Sequence, residues 1–170
     1  MRLRRWLLVG WVALGASGCV GYKLGPVNGV AAGEKSVQVN PFANQTVEPH
    51  LTDAVTQQLR KRLQLDGTYR LASHDDGNIV LSGSITHYGR QAMSLSASDT
   101  LTVQDFRLEL TAQVSAYDRS SGKLILNRPV SGTTMMRVTG DLVSAERQAL
   151  PLLAADLAKN VTELLTEGPW

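Results

Sequence analysis

The longest regular pattern in the chain runs from Phe106 to Ala116. Phe106, Leu108, Leu110, Ala112, Val114 and Ala116 alternate there with Arg107, Glu109, Thr111, Gln113 and Ser115. Successive side chains of a strand point to opposite faces, so this segment predicts a strand with one dry and one wet face. Asn78 to Tyr88 repeats the pattern, with Ile79, Leu81 and Ile85 on one side and Ser82, Ser84 and Thr86 on the other. Between the two, Gly89 to Thr100 is serine-rich and reads as a connection at the tip of a long hairpin. After a turn at Asp118 to Gly122, Leu124 to Val138 returns as another strand, in which Pro129 marks a bulge or an edge because it cannot donate to the ladder. Ser36 to Asn40 and Thr68 to Ala72 are short candidate strands.

Two segments change period. Leu51, Ala54, Val55, Leu59 and Leu63 recur at helical spacing behind a Glu48-Pro49 entry, and Asp66-Gly67 stops them. A second stripe, Leu150, Leu153, Ala154, Leu157, Val161 and Leu164, predicts a helix over Leu142 to Thr166 that Pro151 kinks early and Gly168-Pro169 ends. Two amphipathic helices and several one-faced strands predict an α+β fold: a two-layer sandwich with both helices packed on one face of a mainly antiparallel sheet of four to five strands. The other face, rich in Ser, Thr, Gln, Arg and Glu, is left to water or to a polar partner.

The first nineteen residues follow a different grammar. Arg2, Arg4 and Arg5 precede the apolar run Trp6 to Leu14, and the small residues Ala16-Ser17-Gly18 lead into Cys19. This is the pattern of an export signal, and its apolar run is shorter than the roughly 20 residues a membrane-spanning helix needs. Cys19 is the only cysteine of the chain, so it has no intramolecular disulfide partner. The stretch resembles a bacterial lipobox, cut before the cysteine and lipidated on its thiol, although Ala16 stands where leucine is usual. Acyl chains at Cys19 would anchor the mature protein to a membrane surface. Residues 1–18 are then the signal peptide, residues 19–35 a Gly-, Pro- and Ala-rich tether, and residues 36–168 a single folded domain.

Charge changes with this division. Of 17 basic and 15 acidic residues, the signal removes three arginines, so the formal charge goes from +2 to −1. The basic character belongs to the signal and points to no nucleic-acid partner. Catalytic chemistry finds no motif: His50, His74 and His87 lack HExxH spacing, and there is no GxSxG or CxxC. The residues give no reason to expect an enzyme, a metal or a cofactor.

Cys19 followed by GYKLG (21–25), SVQVNPFANQTVEPHLTDAVTQQLRKRL (36–63), DGTYRL (66–71), IVLSGSITHYGR (79–90) and DFRLELTAQVSAYD (105–118) is similar, in this order, to the LptE family of lipopolysaccharide-assembly lipoproteins. The resemblance implies a non-enzymatic outer-membrane lipoprotein of a Gram-negative bacterium. In that role it plugs the LptD β-barrel, helps it assemble and binds lipopolysaccharide. Nothing that a long tail after the last helix would do is carried over, because the chain has none. Binding an anionic glycolipid calls for cations that make charge-assisted hydrogen bonds to phosphate. The candidates are Arg90 and Arg137, with Arg107 behind them. The rival reading is another outer-membrane lipoprotein binding module, such as an activator of peptidoglycan synthesis, and a tether of about sixteen residues argues against its long reach through the cell wall.

Overall fold

A computed structural model describes residues 32–95 and 103–167. Cys19, the signal and most of the tether lie outside the described residues. Six strands and two helices follow in the order β1 (Ser36–Val39), β2 (Ala43–Asn44), α1 (Leu51–Asp66), β3 (Arg70–Leu71), β4 (Ile79–Leu95), β5 (Val103–Asp118), β6 (Leu124–Arg137) and α2 (Leu142–Glu167). The sheet order is β3-β1-β4-β5-β6, and β2 also pairs with β4. Both helices cover one face, as the pattern predicts. The sheet is more mixed than expected, since β1 pairs in parallel with β3 and β4, and β2 in parallel with β4. The three long strands form an antiparallel meander.

The core sits between the helices and the dry face. Leu108, Leu110, Ala112, Val114 and Ala116 of β5 are all fully buried and form one core cluster with Leu153, Leu157 and Val161 of α2 and Leu51, Val55 and Leu59 of α1. At Gly132 of β6 the two layers approach closely: a Cβ there would lie 2.5 Å from the backbone nitrogen of Leu157 and 2.8 Å from its Cα. Only glycine lets the helix come this near.

β4 departs from the simple alternation. Its pairing with β5 shifts between Ile85 and His87, so Thr86 is a bulge and the parity inverts beyond it. Ile79, Leu81 and Ile85 face the core, and past the bulge it is Tyr88, opposite buried Leu110, that packs against it. The strand also runs to Leu95, so the hairpin begins later than the serine-rich composition suggests. Serine is no obstacle to pairing when β5 offers a matching ladder.

Local chemistry sets the helix ends. Gly67, in the left-handed region at φ 74°, donates its N–H to Leu63 O at 3.2 Å and closes α1. Asp141 caps α2 by accepting the Ser144 N–H at 2.9 Å, and hydrogen bonds from Ser144 hold its carboxyl below the usual carboxylate range. Pro151 lies inside α2, which continues through it to Glu167.

The two edges of the meander are finished by different means. Asp156 of α2 accepts the Thr133 N–H at 2.8 Å, and Asn160 Nδ2 donates to Ser131 O at 2.8 Å, so helix side chains occupy the outer backbone groups of β6. On the other side β1 and β2 run end to end along β4, from Ile79 to Ile85. Beyond Ile85, no strand among the described residues pairs with that edge.

Candidate functional site

The face turned away from the helices is the candidate binding surface. Along β4, β5 and β6 it carries rows of small polar side chains bonded across the strands: Ser82 to Ser115 at 3.1 Å, Thr111 to Ser131 at 2.8 Å, and Gln113 Nε2 to Asn127 Oδ1 at 2.8 Å. Each row satisfies one or two of its polar groups within the sheet and leaves the rest for water or a partner. At the near end, Arg119 donates to Gln38 Oε1 at 2.5 Å and to Asp75 O at 2.8 Å, and Gln38 Nε2 donates to Asp75 Oδ1 at 2.9 Å. This network lies beside Val80, which sits between Gln38 and Tyr117 in register and is only 2% exposed. Among the described residues the polar face is therefore covered at its near end and uncovered along the rest.

At the far end the predicted cations part company. Arg137 ends β6 opposite Asp105 and forms a two-pronged pair with it, at 2.7 Å from Nε and 3.2 Å from Nη2. Its neighbour Met136 is buried in the core, so Arg137 points to the polar face, where its side chain is 69% exposed. The Asp105 carboxylate raises the guanidinium further above its ordinary value. Arg90 lies beyond the Thr86 bulge, in register with buried Leu108, and so points to the helix side. There it pairs with Glu146 of α2 at 2.7 Å and sits 5.8 Å above the Phe106 ring. The same Glu146 accepts the hydroxyl of Tyr88. Burial, and then this bond to a carboxylate, push the Tyr88 phenol well above its usual value. Arg107 stands on the polar face between Gln91 and Met135, exposed and without an ion pair among the described residues.

The structure thus brings Arg90, Arg107 and Arg137 to one end of the sheet but not to one face. The partners Glu146 and Asp105 leave no local signal in the chain: Glu146 lies 56 residues from Arg90, and only the bulge turns Arg90 toward it. Two exposed methionines, Met93 and Met135, also lie near this end.

A family model described as LptE, lipopolysaccharide-assembly, matches residues 34–165, which is most of the chain and all of its described core. The chain belongs to the LptE family. No curated protein matches it in sequence. Among solved structures, a Chlamydia trachomatis protein superposes with TM-score 0.56 at 11% identity, over 81% of this chain and 98% of its own. A Xanthomonas campestris protein does so with TM-score 0.55 at 10% identity, over 87% and 94%. A Caulobacter crescentus chain gives 0.51 at 12%, over 74% and 87%. At such identities these likenesses show the fold alone.

Proposed function

We propose that this LptE-family protein is a lipid-anchored component of lipopolysaccharide assembly in the outer membrane, held there through Cys19 and the residue 19–35 tether. Its folded domain, residues 36–168, acts as plug and assembly partner of the LptD β-barrel and binds lipopolysaccharide, without catalysing a reaction. The observation that carries this reading is the long face of cross-bonded Ser, Thr, Gln and Asn side chains on β4, β5 and β6. A barrel lumen is polar, and a partner seated in it needs a surface that exchanges water for hydrogen bonds at little cost.

Lipopolysaccharide carries phosphate, and the arginines at the far end of the sheet are its nearest match in charge. Arg107 is unpaired among the described residues, while Arg90 and Arg137 would have to exchange Glu146 and Asp105 for phosphate. Retention of labelled lipopolysaccharide by full-length protein tests the assignment. The double variant Arg90→Ala, Arg137→Ala should retain on the order of tenfold less. Undiminished retention would remove both residues from the site.

A further inference from the structure

The outer edge of β4 changes character at Ile85. Up to that point its carbonyls are taken: Asn40 donates its N–H to Leu81 O at 2.9 Å, and Gln45 donates to Ile85 O at 3.0 Å. Asn44 then ends the cover by turning the chain on itself, its Oδ1 accepting the Thr46 N–H at 2.9 Å and its Nδ2 donating to Glu48 O at 2.6 Å. Register shows what is left behind. Leu81 and Ile85, whose carbonyls point outward, stand opposite Ala116 and Ala112 of β5, and Tyr88, Arg90 and Ala92 stand opposite Leu110, Leu108 and Phe106, residues of the same parity. Backbone groups alternate between the two sides of a strand, so Tyr88, Arg90 and Ala92 also turn theirs outward, where no strand meets them among the described residues. Natural edges are usually blunted by lysine, proline or a bulge. His87 to Ala92 has neither lysine nor proline, and its pairing with β5 is regular between the bulge at Thr86 and the shift after Ala92. Its one cation, Arg90, is drawn to Glu146 on the helix side. A cavity of about 220 Å³ opens there, between the entry to α1 and the first turns of α2, and Glu48, His50, Val143, Glu146 and Leu150 line it. Tyr88 joins it to the edge, because its hydroxyl donates to Glu146. Glu48 makes no ion pair among the described residues, which leaves the cavity a carboxylate to offer.

We infer that the outer edge of β4 from His87 to Ala92 accepts an extended segment of another polypeptide as a further strand, with one basic side chain of that segment reaching the Glu48 carboxylate. A row of outward N–H and C=O groups at strand spacing is matched by another backbone, and a side-chain pocket beside the row selects among sequences. The inference goes beyond the proposed function and does not rest on it, since neither the polar face nor a lipid enters.

Fluorescence anisotropy with full-length protein in dodecyl maltoside tests it, and the probe is the labelled peptide Thr-Val-Thr-Lys-Thr-Val-Thr, whose lysine and valines share one face of a strand. The peptide should bind. Of its two analogues N-methylated at alternate residues, one should bind alike and the other about tenfold more weakly, because an added strand turns only every second amide to its neighbour. Ala92→Pro removes an outward N–H without touching the ladder to β5, and Glu48→Gln removes the carboxylate of the pocket. Each should weaken the parent peptide by about tenfold, with the melting temperature showing that both variants are folded. Equal binding of the two N-methyl analogues would mean that no ladder forms, and equal binding of a peptide with glutamate in place of lysine would mean that charge is not read. No binding at about millimolar peptide would mean a closed edge. Each of these overturns the inference. So does a dimer seen by light scattering that Ala92→Pro dissolves, since a second copy would then be the occupant.

Discussion

The two edges of the long-stranded sheet show how one chain can close a surface and leave another available. At β6 the chain supplies its own cover: Pro129 removes one donor, and Asp156 and Asn160 of α2 occupy the amide of Thr133 and the carbonyl of Ser131. At β4 the near half is covered by two very short parallel strands, while the far half has no strand partner among the described residues. The closed edge depends on one helix lying within contact of the strand. The difference teaches that the fold spends its specific side-chain chemistry where α2 meets β6, and holds the far half of β4 from the face, through Tyr88 and Arg90 on Glu146.

The largest effect should come from parting α2 from β6. Gly132→Val places a side chain against the Leu157 backbone and is expected to cost about 3 kcal/mol or more in urea unfolding, because backbone cannot yield as a side chain tip can. Next comes uncovering the β6 edge. Asp156→Ala with Asn160→Ala leaves two backbone groups without these partners, and about 2 kcal/mol of stability should be lost in the same assay. If the double variant unfolds as the parent does, the edge is held by helix packing alone.

A smaller effect separates the far half of β4 by its pH response. The Tyr88 phenol is raised above its ordinary value of 10.0, so the folded state favours the protonated form. Its contribution is complete below pH 10 and is lost as pH rises toward the folded-state value. Tyr88→Phe should therefore flatten the alkaline decline in stability, measured as melting temperature from pH 9 upward; a parallel decline in the two proteins would remove Tyr88 from the linkage. The smallest effect is expected at Arg137→Ala. Its pair with Asp105 is mostly in water, where ion pairs contribute little, so the melting temperature should stay unchanged.

Much of this architecture was legible in the pattern of residues. The six even positions of β5 face the core or pack against it, the two helical stripes cover them, and the polar face is where the alternation puts it. Alternation and helical period are local, and burial on one face enforces both. What could not be read depends on pairing. Thr86 looks like any outward residue of β4 until β5 is laid beside it, and the resulting change of parity sends Arg90 to the helix side and Gln91 to the polar one. The parallel pairings of β1, β2 and β3 involve strands of two to four residues, too short to show a period of their own.

The central claim is that the open face of β4, β5 and β6 is the surface this LptE-family chain presents to a barrel. Photocrosslinking of full-length protein in intact cells tests it, with the probe at Gln113 on that face and, for comparison, at Asp53 on the exposed side of α1. The account predicts an abundant adduct with a large outer-membrane β-barrel from Gln113. An adduct from Gln113 to a peptidoglycan synthase, or no adduct there while Asp53 captures the barrel, would contradict it.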